Sequence, residues 1–367
     1  MIANIDKNIG KLRKFIKEVG IDNNTIFIFM TDNGTSGGCA IDGNGFVTDG
    51  FNAGMRGLKG SEYDGGHRVP FFIHWPEGGL TRNVDVPELT ANIDIMPTLT
   101  ELCDLKMPDT AKKSIDGKSL VPLLKRTGAN DWPERTILTD SQRLVQPIKW
   151  RKSSVMTSRW RLINGIELYD IIEDPGQKNN MADKHPDIVS CLRNEYEKWW
   201  EKVSAQFDEE IPISIGSETG KEICLTSHDW RGNSEDIAWN QGQIRQGKEC
   251  FGHWEVEVTE SGKYVFELSR WPKEEGRKIR SGIKESSEKD ERIEQRYGYW
   301  YHDGKALPIN TAVIKIDKQQ ESKPVNQEDL HSSFTLDLKP GIKHLQAFFI
   351  SGQETVIGSY YVYIRKI

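Results

Sequence analysis

The 367-residue sequence is poor in cysteine, has no long apolar run and carries no strong excess of charge. No apolar run reaches the roughly 18 residues that a membrane-spanning helix needs. A formal net charge of -6 gives no electrostatic reason to expect nucleic-acid binding. These absences leave a soluble globular protein with room for two domains.

The five cysteines are scattered and form no CxxC pair. They are Cys39, Cys103, Cys191, Cys224 and Cys250. This pattern argues against a zinc site or a disulfide framework, although one or two bridges stay open. The sequence also has eleven tryptophans, which are explained either by core packing or by surfaces that stack on sugars.

The beginning of the printed sequence lacks the pattern of a signal peptide. It predicts instead an amphipathic helix with an apolar stripe. The stripe consists of Ile2, Ile5, Ile9, Leu12 and Ile16. Such a stripe is typical of a helix that packs on a core.

An apolar, β-branched and aromatic run follows at Thr25–Met30. A run of this kind predicts a strand buried on both faces, as in the centre of a parallel α/β sheet. Open α/β sheets bind ligands at the carboxyl ends of their strands. Asp32 and Asn33 therefore stand where a site is expected.

Further elements are predicted along the first 210 residues. Arg68–Pro76 predicts a short buried strand. Glu88–Leu105 predicts either one helix with Pro97 near its middle or two short helices. Several short strands are expected in Thr136–Leu168, and a helix over Pro186–Val203.

Beyond Ile211 the pattern changes to period two. His253–Leu268 predicts a hairpin with one buried face. Four further strands are predicted at Thr311–Ile316, Ser333–Leu338, Lys343–Phe349 and Tyr360–Ile364. Short strands at this spacing indicate a β-sandwich. The charged segment Lys273–Arg296 is expected to be a solvated loop.

Two places in the first 70 residues have side chains suited to binding. Asp32 and Asn33 offer the oxygen ligands that Ca²⁺ and Mg²⁺ prefer, although Asp-Asn-Gly is also a common turn. Lys59 lies among glycines that allow close approach of an anion, although a solvated loop lysine is the simpler explanation.

His67 immediately precedes the predicted strand at Arg68–Pro76, and Arg68 is its first residue. Alone they are a weak signal, because Arg68 can equally pair with Glu62 or Asp64.

The order of these motifs resembles the sulfatases of the alkaline-phosphatase superfamily, from Met1 to about Val203. The resemblance rests on Thr25–Gly34, Gly57–Gly60, Gly65–Pro70, Asp94–Leu99, Asp116–Leu120 and the passage Glu167–Asp170 with Asp174-Pro175 and Asn180–Ala182. It implies an α/β fold: a partial alkaline-phosphatase-like sheet with the sulfatase C-terminal subdomain, followed by a β-sandwich domain. The expected domains are residues 1–130, 131–210 and 211–367.

The resemblance also implies roles for individual residues. Asp32 and Asn33 would be metal ligands, with Ca²⁺ as the usual ion and Mg²⁺ as the alternative. Lys59 would contact the substrate sulfate, and His67 would lie near the same pocket.

The sequence departs from the family in lacking its nucleophile. Sulfatases carry a Cys/Ser-x-Pro/Ala-x-Arg motif whose first residue is oxidised to formylglycine. None of the five cysteines is followed by that pattern, and other metal ligands of the family are also missing. We therefore expect a truncated sulfuric ester hydrolase that is inactive alone.

The expected partner is a sulfated small molecule or glycan, with no nucleic acid and no membrane span. The resemblance implies a periplasmic or secreted location, and the sequence indicates no oligomeric state. Within the superfamily, the alternative is a phosphodiesterase or phosphonate hydrolase. Outside it, the alternative is a non-catalytic carbohydrate-binding protein. The sandwich is expected to serve as a lid over the substrate groove.

Overall fold

A computed structural model describes residues 2–81, 83–127, 132–142, 144, 146–209, 211–217, 222–232, 237–284, 303–352 and 355–367. The chain divides into two compact units. The first comprises residues 1–143 and 147–205, and the second comprises residues 144–146 and 206–367. An α/β region followed by a β-rich region confirms the predicted fold class.

The first unit mixes short helices and short strands. Its helices are α1 (Ile2–Glu18), α2 (Asp64–His67), α3 (Ile95–Leu102), α4 (Asp109–Ser114), α5 (Val121–Leu124) and α6 (Pro186–Ser204). Its strands are β1 (Phe27–Met30), β2 (Cys39–Ile41), β3 (Val47–Gly50), β4 (Phe71–His74), β5 (Ile137–Asp140), β6 (Ser153–Met156), β7 (Trp160–Ile163) and β8 (Glu167–Asp170). Pro97 lies in the first turn of α3, where a missing backbone N–H is tolerated.

The strand predicted at Thr25–Met30 forms, but its predicted surroundings are wrong. β1 pairs antiparallel with β4 in a two-stranded sheet, and all four of its residues are half-buried. Phe72 on β4 is 64% exposed. An apolar run specifies that both faces are apolar, but not the direction of its neighbour or what covers the faces.

The predicted first helix also forms, but none of its residues is buried among those described. Ile2 is 83% exposed and Leu12 is 46% exposed. The apolar stripe is therefore present without a covering layer in the described part of the chain.

The second half of the first unit is an antiparallel sheet packed against one helix. β5, β6, β7 and β8 pair in sequence order, which confirms the short strands predicted in this region. Helix α6 contributes Leu192 and Tyr196 to a buried cluster with Val155, Leu162 and Leu168. Stacking of Trp150 on Tyr196, with ring centroids 3.8 Å apart, closes one side of that cluster.

The second unit is a β-sandwich, as predicted. Its elements are β9 (Ile213–Ile215), β10 (Ile223–Thr226), α7 (Gln241–Gln246), β11 (Trp254–Val258), β12 (Gly262–Ser269), β13 (Ile309–Ile316), β14 (Gln319–Pro324), β15 (Ser332–Leu338), β16 (Gly341–Ser351), β17 (Thr355–Gly358) and β18 (Tyr361–Lys366). One sheet has the order β10-β18-β12-β15, and the other has the order β14-β13-β16-β11-β9, with β17 on β16. All pairs are antiparallel except β9 with β11.

The predicted hairpin at His253–Leu268 is wrong. β11 pairs with β16 and β9, whereas β12 pairs with β15 and β18, so the two strands belong to opposite sheets. Trp254 on β11 and Phe266 on β12 are both fully buried in the same core. Alternation identifies the inward face of each strand but not its hydrogen-bonded neighbour.

Three other predictions concern the second unit and the cysteines. Part of the supposed solvated loop is buried, since Ile279 is completely inaccessible; its residues 285–296 lie outside the described residues. Trp230, Trp254 and Trp271 are core residues, which favours packing as the reason for the tryptophan content. No disulfide joins the cysteines in the described chain.

The two units differ in how much apolar surface they bury. The main cluster of the second unit has 30 buried residues among those described, against five in the first. We expect residues 206–367, expressed alone, to be monomeric and to unfold in one cooperative transition. Residues 1–205 alone should be poorly soluble, because β4 and α1 expose apolar side chains. A cooperative thermal transition of the fragment 1–205 as a monomer would contradict this.

Candidate active site

The candidate metal ligands follow directly after β1. Asp32 is exposed, and Asn33 is half-buried. The Asn33 amide nitrogen donates to the carbonyl oxygen of Gly34 at 2.9 Å, which turns its amide oxygen away from that bond. Both residues thus present hard oxygen atoms at the end of the strand.

Backbone hydrogen bonds hold the predicted binding loops against one another. The Gly34 N–H donates to the Gly66 carbonyl at 3.0 Å, and the Lys59 N–H donates to the Thr35 carbonyl at 2.9 Å. The segments that carry Asp32, Lys59 and His67 are therefore adjacent, although they are separated by up to 35 positions in the sequence.

This adjacency depends on glycines. A Cβ atom on Gly34 would lie 1.9 Å from the Gly65 oxygen, and one on Gly66 would lie 2.1 Å from the Ser61 oxygen. Gly57 has φ +86°, a left-handed conformation that favours glycine. The glycine-rich sequence is thus required for packing of backbone on backbone.

His67 is the last residue of α2, and its ring is mostly buried. Its Nε2 atom lies 3.6 Å from Oδ1 of Asp64. Burial lowers the pKa of His67 below its ordinary value, and the nearby Asp64 carboxylate only partly opposes this. The ring is therefore neutral at neutral pH. Lys59, by contrast, is exposed.

The loops are anchored to the antiparallel sheet by a buried carboxylate. Asp64 is 1% exposed and accepts a hydrogen bond from Nε of Arg161 at 3.1 Å. Its backbone N–H donates to the side-chain oxygen of Gln177 at 2.8 Å. Arg68, which the sequence paired with Glu62 or Asp64, lies 3.9 Å from the second Asp64 oxygen.

A second anchor surrounds Glu167, the first residue of β8. The hydroxyls of Tyr63 and Tyr169 both donate to Oε2 of Glu167, at 2.8 and 2.7 Å. The guanidinium of Arg56 lies over the Tyr63 ring at 3.9 Å and donates to the Tyr169 hydroxyl at 2.8 Å. Burial, with the hydrogen bond to Glu167, raises the pKa of Tyr169 to about 12, so this hydroxyl remains a donor.

Another buried carboxylate, that of Asp94, organises the loops before the sheet. Both its oxygens accept from Nη1 of Arg135 at 2.9 Å, and it also accepts from the backbone N–H groups of Ala91 and Lys118 at 2.8 Å. Asp94 is completely inaccessible. The sequence pointed to the motifs around Asp94 and Glu167 but gave neither residue a role. Their roles are structural.

The carboxylate oxygens of Asp32 and the amide oxygen of Asn33 are ligands that suit a hard divalent cation. Ca²⁺ takes six to eight oxygen ligands, and these two residues supply only part of such a set. Among the described residues, Asp32 belongs to no group of three closely spaced His, Cys, Asp or Glu ligands.

The described residues also contain no helix with the length and apolar character needed to span a membrane.

Two family models match the chain. The model described as Sulfatase matches residues 1–105, and the model described as N-sulphoglucosamine sulphohydrolase, C-terminal, matches residues 59–202. The matched residues include all four candidate site residues and both anchors.

Individual relatives cover about half of the chain. A sulfatase of Formosa agariphila is 26% identical over 227 residues, which cover 55% of this chain and 39% of the relative. An N-acetylgalactosamine-6-O-sulfatase of Bacteroides thetaiotaomicron is 27% identical over 52% of this chain and 39% of the relative. The crystal structure of Ps i-CgsB is 22% identical, with a TM-score of 0.44 over 54% of this chain and 41% of its own. The chain thus spans about two fifths of the length of these relatives.

The Glu167 anchor can be tested by Glu167→Gln, which removes the charge shared by two tyrosines and Arg56. We expect the free energy of opening of β7 and β8 to fall by about 1–3 kcal/mol, since hydrogen bonds to a charged group are lost. Hydrogen exchange of the full chain measures it. Glu201→Gln, at an exposed position on α6, is the matched control. Equal exchange in the two variants would contradict the anchoring role.

Proposed function

We propose that this chain is part of an enzyme that hydrolyses sulfate esters, on the basis of the two sulfatase-type family models that match residues 1–105 and 59–202. The observation that carries the proposal is the backbone contact between the loops of Asp32, Lys59 and His67. These loops lie within the residues matched by the family models. They bring the Asp32 carboxylate with the Asn33 amide, the Lys59 ammonium and a neutral imidazole to one region of the first unit.

Each side chain has a role that suits its surroundings. Asp32 and Asn33 would hold part of the coordination of a divalent cation, Ca²⁺ or alternatively Mg²⁺. When bound, that cation would offset the negative charge on the sulfate oxygens. Lys59, exposed on its glycine-rich loop, would place a second positive charge on the same oxygens. His67, held neutral by burial, would contribute a hydrogen bond near the pocket.

The nucleophile is the missing part of this site. We propose that the complete enzyme uses a formylglycine, which none of the five cysteines here can become by the family motif. Positively charged groups and ligands can orient a sulfate ester, but they cannot replace a covalent nucleophile. The chain alone is therefore proposed to be inactive.

Sulfate esters of carbohydrates are the proposed substrates. The printed name of the relative from Bacteroides thetaiotaomicron, an N-acetylgalactosamine-6-O-sulfatase, supports that class. A periplasmic or secreted location fits it. The proposed domains remain residues 1–130, 131–210 and 211–367.

A carbohydrate-binding protein without catalysis is the second candidate. It needs exposed aromatic side chains on the sandwich, but three of the four described tryptophans of the second unit are buried in its core. Trp239 is the exposed one in the described part, at 45%. This distribution favours the hydrolase.

The 367-residue chain should show no turnover of an activated aryl sulfate in the presence of Ca²⁺. The measurement is the rate at which the aryl alcohol is released, compared with the rate in buffer without protein. An aryl phosphate and a phosphodiester assayed in parallel test the related hydrolases of the superfamily. Turnover of the sulfate that Asp32→Ala abolishes would show that the chain holds its own nucleophile.

In a full-length enzyme that contains these residues, Lys59→Ala should lower kcat/KM for the sulfate ester on the order of 100-fold, as for loss of one group that stabilises developing charge. Asp32→Ala should reduce both activity and Ca²⁺ affinity. Lys184→Ala, at another exposed lysine of the first unit, is the control. Unchanged kcat/KM after Lys59→Ala would exclude its contact with the sulfate.

A further inference from the structure

Two histidines and a glutamate meet on the outer face of the sandwich. His253 comes directly before β11 and Glu255 is the second residue of that strand, so in this extended segment their side chains share one face. The intervening Trp254 points into the core. On β16, His344 is the direct cross-strand partner of Glu255. Three residues from two neighbouring strands therefore occupy one patch, defined here as the His-Glu-His cluster.

The ligand atoms of the cluster are close together. Nδ1 of His344 lies 2.9 Å from Oε1 of Glu255, and Nε2 of His253 lies 3.6 Å from the same oxygen. The two imidazole rings stack with centroids 3.9 Å apart. One ligand atom from each residue lies within 4.8 Å of those of the other two.

We propose that the His-Glu-His cluster is a binding site for a divalent transition-metal ion, with Zn²⁺ as the representative ion. Zinc binds imidazole nitrogen and carboxylate oxygen at about 2.0–2.2 Å in tetrahedral geometry, so its ligand atoms are about 3.3 Å apart. The two distances to Glu255 lie on either side of that value. Small rotations of the side chains would bring the three atoms around one ion, with water as the fourth ligand.

The charges around the cluster favour a cation. The carboxylate of Asp317 accepts a hydrogen bond from the backbone N–H of His344 at 3.0 Å. The nearby Lys343 is paired with that carboxylate at 3.2 Å. Glu255 is only 12% exposed in its side chain, so its charge is little screened by water. The positive charge of a bound cation would be offset by the Glu255 carboxylate, and the charge of Lys343 is already offset by Asp317.

The ligand set separates this site from the candidate active site. Nitrogen ligands select Zn²⁺, Cu²⁺ or Ni²⁺, whereas the oxygens of Asp32 and Asn33 suit Ca²⁺ or Mg²⁺. An ion in the cluster would join β11 to β16, which are adjacent inside the larger sheet. The site is therefore inferred to stabilise the sandwich, and it is independent of the proposed hydrolysis.

The test is a calorimetric titration of Zn²⁺ into the tag-free full chain, whose thiols have been alkylated so that cysteines do not bind the metal. We expect one site, which weakens on the order of tenfold or more in His344→Ala and in Glu255→Gln. His331→Ala is the matched control. His331 lies 3.8 Å from Glu267, a histidine–carboxylate pair on the other sheet, and its removal should leave the affinity unchanged.

Co²⁺ absorption gives a second measurement that does not depend on affinity. Wild-type protein should develop the visible bands of a four-coordinate ion, and His344→Ala should lose them while keeping the circular dichroism of the native sandwich. The proposal is overturned if Zn²⁺ does not bind, or if it binds His344→Ala and Glu255→Gln as tightly as it binds wild type. In either case the cluster is a hydrogen-bonded group without a metal.

Discussion

The buried pair of Asp64 and Arg161 is the interaction on which the arrangement of the first unit depends. It links α2 to the antiparallel sheet across 97 positions of sequence. Burial lowers the pKa of Arg161, and the Asp64 carboxylate beside it opposes that shift. Removing one partner of such a pair leaves an uncompensated buried charge, at a cost of about 3–5 kcal/mol. Because Gly65, Gly66 and His67 lie in or at the end of the same helical turn, its position fixes theirs.

Charged residues in the first unit fall into two groups, which differ in whether their side chains already form hydrogen bonds within the protein. Asp64 and Glu167 join loops to the sheet through Arg161 and Tyr63. The Asp94 carboxylate accepts four hydrogen bonds within the loops before the sheet. Asp32 and Lys59 are exposed and make no comparable contacts with their side chains in the described chain. Residues that bind a charged substrate must keep their capacity for new interactions, whereas residues that anchor loops must already have used theirs. The separation supports the roles proposed for Asp32 and Lys59.

Local patterns in the sequence predicted the type of each element and the face that it buries. The strands β5 to β8, the helix α6 and the inward residues of the sandwich all follow from periodicity, because burial of one face selects the period. Pairing is decided by distant residues. The antiparallel partner of β1 and the separation of β11 from β12 could not be obtained from alternation. Nor could the contact of Glu255 with His344, which are 89 positions apart. The loop glycines indicated that backbone would pack closely, but they did not identify the segments that it packs against.

The contact between the glycine-rich loops has a further consequence, because it consists of main-chain atoms. Replacing each neighbouring side chain in turn by alanine leaves every backbone N–H and C=O in place. An alanine scan would therefore show no loss of stability from this interface. At Gly34 and Gly66 the same replacement inserts a methyl group at about 2 Å from a carbonyl oxygen, and it would register as steric damage. Mutagenesis therefore detects an interface of this kind only at its glycines, where a substitution adds atoms.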